Sequence, residues 1–465
     1  MPPIPFPGRL RRAARRLGQS TLEQLLRTFG PLLELERLPP PQRERAYPPV
    51  VAFWGFLFQV MAPALACRHA LQQIQALRLA LGKPPASAST SAYCQARARL
   101  PYPRLLRIAR QIALGLEALV GPDHRWMGRR VCVVDSTGIS MPDTPSNQRL
   151  WPQPSGQKPG CGFPVMRVCA LFSLATGAAL AAVRSSLSVH DSRLFRRLWG
   201  FLRAGDVVLA DRAFCSFAAI AQLAERGVDV VFRLHQRRPQ ASQAAKRLGR
   251  HDHLVVWKRP PQATPALPKN LLQRLPRQLC LRQLSFRVAI TGFRTRDISL
   301  VTTLLDPQRF PAEALAQLFR QRWQVELNFR HIKTTMGMDT LRCQSPAMIR
   351  RELTMHLIAY NLIRALLLQA ASTHHRPTHA LSFKGTVNLL QQSAWLFHAH
   401  GPRRAASFRR HILRLIAADL LPHRPNRAEP RVVKRRPKPY QLLSCPRHLM
   451  LPIPHRSKYR KTSLS

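Results

Sequence analysis

Residues 131–138, Val-Cys-Val-Val-Asp-Ser-Thr-Gly, put an acid, Asp135, directly after four apolar residues. Residues 207–214, Val-Val-Leu-Ala-Asp-Arg-Ala-Phe, repeat the arrangement at Asp211. Short runs rich in β-branched residues read as buried strands. Between and after these two runs the spacing predicts strands over 166–174 and 178–186, turning at Thr176-Gly177. It predicts helices over 192–202 and 216–226, and a further strand over 228–234. Strand, strand, strand, helix, strand, helix, strand is the order of an α/β mixed sheet flanked by helices. Each aspartate is read as ending its strand, which would hold a carboxylate rigidly at the mouth of the sheet, where catalytic groups tend to lie. The plainer reading of either is a turn or helix-capping Asp, and Ser136-Thr137-Gly138 makes that reading serious for Asp135.

Working outward, residues 1–125 read as a helical, basic domain. A helix start stands at Ser20-Thr21-Leu22-Glu23, with Leu25, Leu26 and Phe29 on one face. Further helices are expected over 48–62, 67–81 and 103–119, with a small-residue loop from Ala86 to Ser91. Arg9, Arg11, Arg12, Arg15 and Arg16 form either a solvated basic face or a DNA contact, and DNA is favoured because the whole chain shares the bias. Residues 236–306 read as a β-rich insertion, with strand-like pieces at 253–258, 284–291 and 298–304. Long helices are expected over 311–335, 346–371 and 383–399, completing a catalytic unit over 126–400. Residues 401–465 hold seventeen Lys and Arg against Asp419 and Glu429, and read as a basic, partly disordered tail.

The chain of 465 residues carries 73 Lys and Arg against 22 Asp and Glu, a net charge of +51. Self-repulsion on that scale points to a polyanionic partner, with nucleic acid the first candidate. Apolar residues make up 45%, which excludes wholesale disorder. The nine cysteines are scattered, with neither a CxxC nor a zinc-finger spacing, so a reducing compartment is expected, cytoplasmic and nucleoid-associated. No signal peptide is read at the start, and the longest apolar stretch, Val50 to Ala66, is interrupted by Gln59 and Pro63. A buried helix is therefore expected there, with no membrane partner.

The third acid of interest is Glu326, in the helix spanning Leu318 to Lys333. At about 100° per residue, Phe319, Arg322, Trp323, Glu326, Arg330 and Lys333 fall on one stripe, while Leu318, Val325 and Ile332 face the opposite way. One carboxylate among three cations could be an incidental ion pair worth about 0–1 kcal/mol. It also suits a metal–phosphate ligand, with Glu326 on the metal and Arg322, Arg330 and Lys333 on phosphate oxygens. Phosphodiester hydrolysis needs an activated nucleophile and relief of charge on phosphorus. Two hard ions, Mg²⁺ or Mn²⁺, held by Asp135, Asp211 and Glu326 would supply both.

These residues resemble a known family. Phe319, Arg322, Glu326 and Lys333 are similar to the Y-(2)-R-(3)-E-(6)-K signature of the insertion-sequence four family of DDE transposases. Asp135 in VVDSTG and Asp211 in LADRAF look like that family's two aspartates. The segments Ala92 to Pro101 and His356 to Arg364 are also similar, so the likeness covers about residues 45–370. It implies an RNase H-like core with a β-strand insertion between Asp211 and Glu326. It implies excision of a mobile element: water attacks at the terminal inverted repeats, and the freed 3′-OH then attacks target DNA. Double-stranded DNA is the implied partner, and a homodimer would synapse two ends. Some members pass through a DNA hairpin with an aromatic holding a flipped base. Trp323 or Trp257 would serve, a packed core Trp being the alternative for each. Phe319 stands where the family has Tyr, so a phosphate-contacting hydroxyl is missing, worth about 1.5–3 kcal/mol. Restoring it by Phe319→Tyr is expected to keep or raise strand transfer.

Other features carry less. His190-Asp191 reads as a helix cap; His374-His375, His398 and His400 as a histidine-rich basic stretch; Cys94 as packing; and Gly160 to Gly162 lack the GxxxxGK[ST] phosphate-loop pattern. Two rivals to the transposase reading stand: a nuclease that cuts without joining, and a transposase-derived DNA-binding protein without catalysis.

Overall fold

The computed structural model describes residues 47–62, 66–80, 84–85, 87–121, 124–234, 244–264, 267–288, 296–393, 402–422, 443 and 445–450. The helix start at Ser20, the arginines from Arg9 to Arg16, and His398 and His400 lie outside them.

Among the described residues four helices precede the first strand: α1 (Pro49–Met61), α2 (Cys67–Ala80), α3 (Thr90–Arg99) and α4 (Tyr102–Ala118). Helix α3 was not expected. Ser89 caps it by accepting from the Ser91 amide, so part of the run read as a small-residue loop is a helix start. There follow β1 (Val131–Ser140), α5 (Pro145–Leu150), β2 (Val165–Ser173), β3 (Ala179–Ser186), α6 (Asp191–Arg196), β4 (Val207–Ala210), α7 (Phe217–Glu225) and β5 (Asp229–Arg233). The insertion supplies β6 (Ala244–Gly249), β7 (Asp252–Lys258), α8 (Lys269–Arg274), β8 (Gln278–Val288) and β9 (Arg296–Thr302). The chain closes with α9 (Ala312–Arg320), α10 (Gln324–Arg330), α11 (Pro346–Thr373), α12 (Phe383–Ser393) and α13 (Pro402–Ala418).

All nine strands form one mixed sheet in the order β3-β2-β1-β4-β5-β9-β8-β7-β6. Strands β1 to β3 pair antiparallel, and β4 and β5 join β1 in parallel. This 3-2-1-4-5 order is the RNase H-like arrangement expected. The insertion continues the same sheet, because β9 pairs antiparallel with β5.

Strand alternation assigns the two faces. Val131, Val133, Val207, Leu209 and Val231 enter one core with α1, α4, α11 and the segment around Val325 and Ile332. Cys132, Val134, Val208, Ala210, Val230 and Phe232 enter the other, with α6 and α7. Helix α11 runs through the first core: Ser345 caps it, and Tyr360, Asn361 and Arg364 grip the β2–β3 hairpin. The Tyr360 hydroxyl donates to the Gly177 carbonyl at 2.7 Å, and Arg364 Nη2 donates to the Thr176 carbonyl at 2.7 Å. Gly177 has φ +68°, and a Cβ there would lie 2.4 Å from Arg364, so only glycine turns this hairpin under the arginine. Helix α11 has the length and hydropathy of a membrane span, yet 89% of its most apolar window is buried.

The described N-terminal helices share the sheet's core, Phe53, Phe56, Ile108 and Ile112 being fully buried in it. Part of the expected disordered tail is helix α13, whose Ile412, Leu413, Ile416 and Ala417 are buried in the same core. Beyond α13, Arg447 pairs with Asp143 and donates from Nη1 to the Gly160 carbonyl at 2.6 Å.

Candidate active site

Asp135 does not end its strand, contrary to the sequence expectation. Strand β1 runs on to Ser140, carried by antiparallel pairing with β2 in which Asp135 faces Ala170. What ends is the parallel pairing with β4, at Val133 opposite Leu209. Asp135 and Asp211 each stand two residues beyond that last pair, at equivalent positions on strands that neighbour at about 4.8 Å. Asp135 shares the parity of Val131 and Val133, so it points to the face covered by α10. Asp211 follows the last residue of β4, and its Oδ1 accepts from the Arg212 amide at 2.8 Å, starting a short helical turn.

Glu326 lies on α10, which packs against β1. The helical run from Ala312 is not uniform: a tight turn spans Gln321–Trp323, and a wide π turn spans His331–Thr335, closed by the Met336 amide donating to the His331 carbonyl. Leu318, Val325 and Ile332 are buried as expected. Arg322 Nη2 donates to Glu326 Oε1 at 3.1 Å. Asp135 registers all of this. Burial raises its carboxyl most, the Ser136 amide and the Arg322 guanidinium pull it down, and the Glu326 and Asp211 charges push it up, leaving it at about 6. The three carboxylates thus lie in one electrostatic neighbourhood, with Arg322 among them.

Lys333 lies in the π turn and donates from Nζ to Thr137 Oγ1 at 2.9 Å, two residues along β1 from Asp135. Its ammonium is lowered by burial, with Asp339 opposing. Arg330 is exposed. Trp323 is 52% exposed. Phe319 departs from the expectation that it shares the stripe's open face: it is 5% exposed and packs in the core, with the Arg322 guanidinium 5.8 Å above its ring. An uncharged ring this large gains more from the core than from the cleft. Trp257 is likewise buried, in the second core cluster, so it is the packed alternative that applies.

Two residues escaped the sequence reading. Thr137 fixes Lys333. Arg233 ends β5 one step beyond the Ala210–Phe232 pair, and its Nη1 stands 3.8 Å from Asp211 Oδ1. Aligning VVLAD against DVVFR as neighbouring parallel strands would have found Arg233.

Three hard oxygen donors carrying mutually repelling charge fit a divalent cation such as Mg²⁺ or Mn²⁺. Among the described residues no three acidic, His or Cys side chains are already posed around one point. Glu326 instead turns to Arg322, and a shared cation requires it to swing toward the aspartates. The best-formed cavities lie elsewhere. One of about 510 Å³ sits at the opposite ends of the parallel strands, beside Arg129, Arg130, Asp206 and Asp229. Of the lesser candidates, His190 caps α6 by accepting from the Ser192 amide.

A family model for the transposase DDE domain matches residues 126–362, the stretch from just before β1 into α11. The transposase InsG for insertion sequence element IS4 of Escherichia coli is 26% identical over 86% of this chain and 88% of its own length. The transposase for insertion sequence element IS421 of Escherichia coli is 34% identical over 14% of this chain and 17% of its own. A solved structure of the piggyBac transposase synaptic complex with hairpin DNA is 9% identical, with a TM-score of 0.45 over 87% of this chain and 82% of that one. The chain therefore belongs to the DDE-domain transposases of the IS4 type, and it is a DNA-binding, divalent-metal-dependent DNA transposase.

Proposed function

We propose that Asp135, Asp211 and Glu326 hold two Mg²⁺ or Mn²⁺ ions and cut phosphodiester bonds at an element's terminal inverted repeats, after which the freed 3′-OH is joined to target DNA. The observation that carries this reading is the placement of Asp135 and Asp211 side by side, each two residues beyond the last β1–β4 pair, with the helix that bears Glu326 packed on β1. Divalent ions bound there would activate the attacking oxygen and offset charge building on phosphorus.

The chain's own residues divide the remaining work. Asp135 and Asp211 present carboxylates from rigid neighbouring strands, so they are pre-positioned at little entropic cost. Arg322 pairs with Glu326, and its charge is felt at Asp135. When Glu326 swings to the aspartates, its guanidinium is freed for a phosphate oxygen, a charge-assisted bond about twice as strong as a neutral one. Lys333, anchored by Thr137, offers a second cation to the scissile strand, and Arg330 a third from the exposed edge. Trp323 presents an open aromatic face on which an unstacked base would rest. Phe319 supports Arg322 from beneath and contacts no DNA. We further propose a homodimer that synapses two ends, and a cytoplasmic, nucleoid-associated location; both follow from the substrate.

The test is end cleavage and strand transfer on inverted-repeat DNA in Mg²⁺. Asp135→Asn, Asp211→Asn and Glu326→Gln should each abolish both reactions, and cleavage surviving in any one of them would overturn the assignment. Strand transfer of precleaved ends separates a transposase from a nuclease that only cuts.

A further inference from the structure

Cys67 opens α2 and Cys94 lies midway along α3, with their Sγ atoms 3.6 Å apart and both residues partly exposed. Arg97, one turn after Cys94, donates from Nη2 to both sulfurs, at 3.2 Å to Cys67 and 3.4 Å to Cys94. Its Nη1 donates to Gln59 Oε1 at 2.9 Å, and its guanidinium lies over the Phe56 and Tyr93 rings. Arg97 is 6% exposed, and its Nε has no hydrogen-bond partner.

A buried guanidinium needs a counter-charge. Among the described residues no carboxylate pairs with Arg97. Glu352, the buried acid that feels its charge, spends its oxygens on the amides of Arg342 and Cys343. The titratable side chains to which Arg97 donates hydrogen bonds are the two thiols.

We propose that Cys94 and Cys67 form an oxidation site, with Cys94 the nucleophile, Cys67 the resolving thiol and a hydroperoxide the oxidant. The Cys94 thiolate attacks one peroxide oxygen. The O–O bond breaks, hydroxide or alkoxide leaves, and Cys94 becomes a sulfenic acid. The Cys67 sulfur then attacks the Cys94 sulfur, the S–O bond breaks, and the hydroxyl departs as water with the Cys67 proton. Two thiols lose two electrons and the peroxide gains them. The sulfurs stand 3.6 Å apart, against a disulfide bond length of about 2.05 Å.

The electrostatics agree with the division of roles. The sulfur–sulfur hydrogen bond between the two thiols and the Arg97 charge bring the Cys94 thiol down to about 5 against the opposing effect of burial, while Cys67 is pushed up. Elsewhere burial pushes Cys169 up to about 12, and Cys132 and Cys343 up as well. Thiolate character, which governs oxidation rate, therefore concentrates at Cys94. The inference is independent of the transposition chemistry.

The experiment exposes the full chain to a small excess of hydrogen peroxide, blocks the remaining thiols under denaturing conditions and maps the peptides. The expected first product is a Cys67–Cys94 link, and Cys67→Ser should leave a Cys94 sulfenic acid that dimedone captures. As a check that needs no variant, Cys94 in the wild-type chain should be alkylated by iodoacetamide with a midpoint below pH 7, against about 8.5 for an ordinary thiol. Arg97→Gln should move that midpoint upward. First oxidation at another cysteine, or a Cys94 midpoint in the ordinary thiol range, would overturn the proposal.

Discussion

Asp135 is held where its charge is unwelcome, and the protein's stability should record that. Its folded carboxyl titrates at about 6 against 3.8 unfolded. Between those values the folded state binds the extra proton, so stability rises as pH falls from 6 to 4. Above pH 6 the full penalty applies; below about 4 both states are protonated and it vanishes. Asp135→Asn should therefore stabilise the chain at pH 7.5 in EDTA, by at most about 3 kcal/mol. That gain should shrink through pH 6 to 4, and melting curves across pH 4–8 check it. Adding Mg²⁺ or Mn²⁺ should raise the wild-type melting temperature, because binding the folded state alone stabilises it. The same addition should leave Asp135→Asn unmoved. Lys333→Ala should cut end cleavage by tenfold or more, the cost of about 1.5–3 kcal/mol for a lost charged contact. The same variant with Mn²⁺-dependent melting intact would place Lys333 on DNA rather than on fold stability. The acids, Arg322 and Lys333 were legible because strand pattern and helical spacing carry them. Phe319 was misplaced because an ideal wheel ignores how strongly an aromatic ring seeks the core, and because the tight turn at Gln321–Trp323 and the π turn at His331–Thr335 break the 100° step.

The elements show which local signals were readable. Strand β1 was read as four residues because Ser136-Thr137-Gly138 resembles a turn; pairing with β2 through Ser140 overrides that propensity. Strands β7, β8 and β9 were visible as strand-like pieces but β6 was not, nor was the joining to β5 through β9, since register with a distant strand has no local signal. A buried ion pair fixes the insertion: Arg282, fully buried, donates from Nε to Asp252 Oδ1 at 2.8 Å and from Nη1 to the Phe310 carbonyl at 2.6 Å. Arg282→Ala leaves Asp252 buried and unpaired and should cost about 3–5 kcal/mol in denaturant unfolding. The two tryptophans should separate in the same way. Trp257→Ala opens a core cavity and should cost about 3–5 kcal/mol. Trp323→Ala, on the surface, should change stability by less than about 0.5 kcal/mol while weakening single-stranded or hairpin-end DNA binding. A loss of stability at Trp323 equal to that at Trp257 would contradict the open-face role.

For the whole molecule, charge and fold are separable. The net charge of +51 is spread along the chain, whereas the core depends on α11 and what packs on it, including α13. Ending the chain after Leu421 should keep α13 and a cooperative melt, though it forfeits the Arg447–Asp143 contact. It should weaken DNA binding and flatten its salt dependence, since each phosphate contact contributes about 0.9 to the slope of log K against log salt. Ending it before Pro402 removes Ile412, Leu413 and Ile416 and should destabilise the fold itself, which comparative melts would reveal. The most direct test of the central claim is Mn²⁺ binding to the full chain on precleaved inverted-repeat DNA, followed by electron paramagnetic resonance. Three carboxylates acting as one centre predict two bound ions, with binding weakened by each of Asp135→Asn, Asp211→Asn and Glu326→Gln. Unchanged Mn²⁺ binding across all three variants would contradict it.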